Sequence, residues 1–163
     1  MPAAWVAVDV RFSHLDAKYD DYFARDNFKN TSAFLPPDAP LEDLSGNYLS
    51  RSPKNTLSIG ANFTTHIGRF GLGKLQLRVE GFYSDKLYFR EFNLPIEEQP
   101  SYHTYNAFLT IDSANEHYSF ALFSKNIGDE RYQLGQIAFD AVRYRGAYYA
   151  PPRTVGASLS MRY

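Results

Sequence analysis

The sequence predicts an all-β chain: an antiparallel up-and-down meander of about six long strands. Three observations predict it. Apolar residues recur at every second position in six separate stretches. The connections between those stretches run long, short, medium, short, long. Tyr and Phe are abundant, with 13 of each and a single Trp, and flat rings pack well on a pleated surface.

The first stretch lies near 4–19, where Val6, Val8, Val10 and Phe12 alternate with Ala7, Asp9 and Arg11. In the second, near 54–66, Leu57, Ile59, Ala61 and Phe63 are separated by small or polar residues. The third, near 74–90, carries Leu75, Leu77 and Val79 against Gln76, Arg78 and Glu80. The fourth, 102–113, alternates with one exception, Phe108. The fifth, 117–134, puts Tyr118, Phe120 and Leu122 on one face, and the sixth, 152–163, does the same with Val155, Ala157, Leu159, Met161 and Tyr163. A period of two belongs to strands, since successive side chains point to opposite faces.

These strands are near the roughly 9–11 residues that a tilted strand needs to cross a bilayer, and longer than the usual mode of about 5–6. Short connections fall at 68–73, rich in Gly, and at 113–116; the others are longer and hold Phe34-Leu35-Pro36-Pro37, Pro95, Pro100 and a Tyr-rich run ending at Pro151-Pro152. Transmembrane barrels have such an asymmetry, with short turns at one end and long loops at the other. Aromatics gather near strand ends: Tyr19, Tyr22 and Phe23; Tyr83, Tyr88 and Phe89; Tyr102 and Tyr105; Tyr144, Tyr148 and Tyr149. That placement fits the girdles at membrane interfaces.

Composition narrows the function. The net charge is −1 with no basic excess, so nothing points to a nucleic-acid backbone. No Cys is present, which removes disulfides and thiolate metal sites. No apolar run approaches the roughly 18 residues of a membrane helix. The first residues have no basic segment ahead of an apolar run, so the chain as given is expected to lack a signal peptide. His14, His66, His103 and His117 have no paired ligand spacing. The acidic pairs Asp20-Asp21, Glu42-Asp43 and Glu97-Glu98 lie in loops, where neighbours diverge, and read as solvated charge. Gly68–Gly73 lacks the Gly-Lys-Ser/Thr end of a phosphate loop. No catalytic residue, cofactor site or metal site is expected.

A family resemblance rests on particular residues. Tyr118-Ser119-Phe120-Ala121-Leu122-Phe123-Ser124-Lys125-Asn126-Ile127-Gly128-Asp129-Glu130-Arg131-Tyr132 resembles the penultimate-strand motif of TonB-dependent receptors, with Asn126, Asp129 and Tyr132 at its marked places. The stretch ending Pro151-Pro152-Arg153-Thr154 resembles the family's last loop, where Pro152 and Arg153 open the final strand. Gly46-Asn47-Tyr48-Leu49-Ser50-Arg51-Ser52-Pro53-Lys54 resembles its lead into a downward strand. The sequence departs at Ile127 and Gly128, where Leu and a polar or aromatic residue are common. The last strand, with Val155, Gly156, Leu159, Met161 and terminal Tyr163, resembles the signal read by the outer-membrane barrel assembly machinery.

The resemblance implies that residues 1–163 are the C-terminal portion of a receptor barrel. Plug, signal peptide and most strands would be absent, since such barrels have about 22 strands. It also implies location in the Gram-negative outer membrane, contact with membrane lipid, and engagement of TonB through the missing N-terminal part. The full receptor would take up a scarce solute such as a ferric siderophore, cobalamin or glycan. The alternative is a small autonomous β-sandwich or barrel that binds an apolar ligand or sugar; an enzyme on a β scaffold ranks last.

Overall fold

The structure, a computed structural model, describes residues 5–29, 39–139 and 142–162. Twelve strands follow one another in the described residues. They are β1 (Val6–His14), β2 (Phe23–Arg25), β3 (Leu41–Asp43), β4 (Asn55–His66), β5 (Leu72–Ser84) and β6 (Leu87–Tyr88), then β7 (Glu98–Gln99), β8 (Tyr102–Ser113), β9 (Tyr118–Lys125), β10 (Gln133–Phe139), β11 (Tyr144–Tyr149) and β12 (Thr154–Met161). The six long ones form a single sheet in the order β1-β4-β5-β8-β9-β12. Every neighbouring pair is antiparallel, so the sheet is the meander expected. Two 3-10 turns, Asn27–Lys29 and Pro95–Glu97, are described in full. No helix is long and apolar enough to cross a membrane.

Register follows the alternation. One cross-strand row reads Val8, Ala61, Val79, Ala107, Ser124, Val155. The next face over reads Ala7, Asn62, Arg78, Phe108, Phe123, Gly156. Leu57, Ile59, Ala61 and Phe63 therefore share a face with Leu75, Leu77 and Val79, because a slip of one residue would invert a whole strand. Phe108, the exception in the pattern, sits directly beside Phe123 on the polar face. The Phe123 ring in turn covers Gly156, where a Cβ would collide with it. An aromatic laid over a strand glycine restores the packing that glycine lacks.

The two turns at one end are short, at residues 67–71 and 114–117. The three connections at the other end are long and carry the small hairpins β2–β3, β6–β7 and β10–β11. Three strand limits differ from the sequence reading by five residues or more, the others by at most two. The first strand ends at His14 rather than 19, the third at Ser84 rather than 90, and the fifth at Lys125 rather than 134. At the last of these the cause is visible: Asn126 and Asp129 take φ of 51° and 53°, a left-handed geometry that cannot continue a strand and that Asn and Asp tolerate best. The Tyr-rich run after it is also no irregular loop but the hairpin β10–β11.

The buried apolar residues are Ala39, Leu44, Phe89 and Phe92, all from the long connections. The apolar face of the sheet is open by contrast. Val8, Val10 and Phe12 are 64%, 61% and 66% exposed, and Val155 and Leu159 are 72% and 74% exposed.

Candidate functional site

Above the sheet, the long connections meet in a crown held by a buried ion cluster. Glu97 ends the 3-10 turn Pro95–Glu97, whose Pro95 pre-sets the first turn. Its side chain is fully buried. The Glu97 Oε1 atom lies 3.2 Å from Arg90 Nη1 and 3.5 Å from Arg145 Nη2. Arg90 Nη1 also lies 3.7 Å from Asp26 Oδ1, itself buried. Both guanidiniums lie over the Phe28 ring, at 4.0 Å for Arg145 and 5.3 Å for Arg90, and Arg90 covers Phe92 at 4.9 Å. Three connections thus converge on one carboxylate. Burial pushes the Glu97 carboxyl above its ordinary range, although both guanidiniums pull it down. Glu97 Oε2 and Arg145 Nε have no hydrogen-bond partner.

The reading of Glu97-Glu98 as solvated charge is therefore corrected. Glu98 pairs with Lys86 at 3.3 Å at a partly exposed site, but Glu97 is the most enclosed carboxylate of the crown. Its partners are Arg90 and Arg145, with Asp26 on the far side of Arg90, and no local spacing announces such a meeting. The flanking Pro95 and Ile96 were the available signal, and a weak one. The aromatic expectation also needs correction at two places. Phe89 is buried in the crown, and Tyr102 turns to the polar face, stacking on Tyr132 with centroids 4.1 Å apart.

The structure brings the motif residues together at the foot of the third long connection. Asn126 Nδ2 donates to the carbonyls of Glu130 (2.9 Å) and Pro151 (3.2 Å), and its Oδ1 accepts from the Glu130 N–H at 2.9 Å. Its own N–H donates to Asn106 Oδ1 at 3.0 Å. Asp129 Oδ1 accepts from the Arg153 N–H at 2.7 Å, just after Pro152. Tyr132 accepts the Ala150 N–H at its carbonyl, at 2.9 Å. These contacts clasp the two feet of the loop and set where β12 begins. The strand-face residues are not part of this clasp: Val155, Leu159 and Met161 lie on the apolar face of β12 and Gly156 on the other. Tyr163 lies outside the described residues.

On the polar face, Arg78 joins Glu80 at 2.6 Å and Asp9 at 3.3 Å, and Asn106 Nδ2 donates to Glu80 Oε2 at 3.3 Å. Gly60 makes room for this network, since a Cβ there would come within 2.6 Å of Asp9 Oδ1. Among the described residues no group of three or more His, Asp or Glu is placed to hold a metal ion.

No family model matches the sequence, and no curated protein does. Solved structures share its fold. The ferric yersiniabactin uptake receptor FyuA from Yersinia pestis superposes with a TM-score of 0.70 at 16% identity, over 98% of this chain and 21% of that one. The siderophore receptor PiuA from Acinetobacter baumannii gives 0.70 at 18% identity, over 99% and 20%. BauA, the ferric preacinetobactin receptor from the same organism, gives 0.58 at 19% identity, over 74% and 18%. The chain spans about a fifth of the length of these receptors. At such identities the likeness shows the fold alone: an antiparallel run of strands like that in these β-barrel receptors, in keeping with the resemblance to TonB-dependent receptors read from the sequence.

Proposed function

We propose that residues 1–163 form the C-terminal wall and outer loops of an outer-membrane TonB-dependent receptor barrel, one that actively takes up a scarce solute, of which a ferric siderophore is the first candidate. The observation that carries this is the continuous apolar face from Val8 to Val155, left uncovered by any described element. A face of that extent in water would be an aggregation hazard, whereas acyl chains cover it without penalty. A soluble β-sandwich would need a second sheet packed about 10 Å away, and the described residues contain only the small outer hairpins besides this sheet.

In this reading the apolar face meets lipid and the Arg78–Glu80–Asp9 face lines the lumen. Glu97, Arg90 and Arg145 bind the outer loops into one crown beside the solute's path. Val155, Gly156, Leu159 and Met161 present the last strand to the assembly machinery, with Tyr163 at its end. TonB, driving uptake, would act through residues that precede this stretch. The chain performs no bond-making chemistry of its own.

The test compares two arginines on one strand. Ile59 faces out and Asn62 faces in, so Ile59→Arg places a charge among acyl chains at a cost of about 2–4 kcal/mol, and Asn62→Arg stays in a polar lumen at under about 1 kcal/mol. Urea midpoints in lipid vesicles and heat-modified gel mobility should show the first variant far weaker. Equal losses would overturn the membrane reading.

A further inference from the structure

At the short-turn end of the sheet the polar face carries a cleft of about 380 Å³. Its floor is one cross-strand row, His66, Lys74, Asp112, Ser119 and Ser160. Its rim is Glu116 and His117, from the turn after β8, with Arg162 beyond β12. The rim is held in place by the backbone. Gly73 lets the two short turns touch, since a Cβ there would lie 2.8 Å from the Ser113 carbonyl oxygen, and the Ala114 N–H donates to the Gly71 carbonyl at 2.8 Å. Asn115 Oδ1 accepts from the Ser113 hydroxyl at 2.7 Å and from the His117 N–H at 3.2 Å. The His117 carbonyl accepts from the Arg162 N–H at 2.8 Å.

The charges here behave unlike those at mid-wall on the same face. There Arg78 takes both Asp9 and Glu80. Here Lys74 and Asp112 stand directly opposite one another, where cross-strand partners of opposite charge attract. Yet neither they nor Glu116, Arg162, His66 and His117 enter an ion pair among the described residues. Cations and carboxylates thus face one cleft without neutralising each other. A plain anion in it would meet Asp112 and Glu116 as well as the cations, and a plain cation would meet Lys74 and Arg162. A ligand that carries both signs satisfies both sets, and complementary charge selects for it. The volume lies within the roughly 300–1,000 Å³ of small-ligand sites.

We propose that this cleft binds the zwitterionic end of a peptide, its carboxylate meeting Lys74 and Arg162 and its ammonium meeting Asp112 and Glu116. The Ser119 and Ser160 hydroxyls on the floor take the adjoining peptide group. In the orientation of the membrane reading above, the short turns face the periplasm. The peptide of that chemistry there is the cell-wall stem peptide, whose diamino acid carries a free ammonium beside carboxylates. The source of the peptide rests on the membrane reading, whereas the ligand class comes from the cleft itself.

The test uses the protein as assembled in outer membranes and extracted in mild detergent, with binding read by equilibrium dialysis of labelled probes. The probes are the stem tripeptide alanyl-γ-glutamyl-diaminopimelate, blocked at its alanine as in the wall, the same peptide with its free amine acetylated, the same peptide with its carboxylates amidated, and inorganic phosphate. Wild type should bind the tripeptide at least about tenfold more tightly than either capped form, and phosphate should not compete. Asp112→Asn should erase the preference for the free amine and keep that for the free carboxylates. Lys74→Gln with Arg162→Gln should do the reverse. A variant that merely misfolds would lose both preferences together, so the crossed pattern separates binding from folding. Equal binding of the capped peptides, competition by phosphate, wild-type behaviour of the variants, or no binding at all, as when another part of the same polypeptide fills the cleft, would each overturn the proposal. Fractionation away from membranes would overturn the membrane reading instead, and the dialysis result would still judge the cleft.

Discussion

The wall and the crown of this molecule solve burial in opposite ways. In the wall, long strands satisfy their backbone groups through one ladder and leave their apolar side chains outward, with Val10 and Leu159 both more than half exposed. In the crown, short hairpins make few ladder bonds and instead enclose Leu44, Phe89, Phe92 and the Glu97–Arg90–Arg145 cluster. The difference teaches where each part gets its stability. The wall draws on backbone pairing and on whatever covers its apolar face. The crown draws on a few buried contacts, most of them electrostatic, among segments far apart in sequence.

The largest effect expected from that contrast is at Glu97. Glu97→Ala takes from Arg145 its carboxylate partner and leaves Arg90 with Asp26 and, at 4.0 Å, Glu91. Removing one partner of a buried ion pair costs about 3–5 kcal/mol. Hydrogen exchange should rise in β6–β7 and β10–β11 together and stay unchanged in β4, β5 and β8. Faster exchange throughout the sheet would show that wall and crown are one cooperative unit.

A smaller loss is expected at the joint between the two regions. Asn126→Ala strips the partners from the Glu130 N–H and from two carbonyls, and unmet buried groups cost about 1–3 kcal/mol. The loss should appear in a lowered unfolding midpoint and in exchange at Glu130, with β1 and β4 unaffected. Asp129→Ala removes a single bond to the Arg153 N–H at an exposed site and should cost about 0.5–1.5 kcal/mol. If Asp129→Ala costs more than Asn126→Ala, the clasp is centred on the wrong residue.

The smallest effect is a pH dependence confined to the crown. Burial raises the Glu97 carboxyl above its ordinary value of 4.5, so ionisation is harder in the folded chain than in the unfolded one. The folded state then binds the extra proton. Stability from this group is fully present below 4.5 and falls as pH rises through the raised folded value. Glu97→Gln should flatten that slope. Exchange in the crown hairpins measured across this range checks it, and a slope unchanged by the Gln variant would assign the dependence to another group.

The sequence alone carried the wall to nearly full detail. Alternation is local, so the faces of Val8, Ile59, Leu77 and Leu159 could be read residue by residue, and Gly at 68–73 and Asn115 marked the short turns. The candidate site was less legible. Asn126, Asp129, Tyr132, Pro152 and Arg153 stood out only as a pattern, and the bonds that make them a clasp appear only when residues 106, 130 and 151 are brought beside them. The third strand looked continuous to 90 because Lys86 keeps the parity of Gln76, Arg78 and Ser84, yet the chain leaves the sheet at Ser84 to build β6–β7.

What the sequence determined by itself is therefore the set of properties with a two-residue range: strand identity, register of faces, and the asymmetry of turns and loops. The tertiary structure alone decided which charges are buried. Glu97 and Glu98 are adjacent and chemically equivalent in the chain, but one is enclosed by Arg90 and Arg145 and the other meets solvent beside Lys86. Desolvation depends on every atom within a few ångströms, and those atoms come from three loops that only the folded sheet holds at one end.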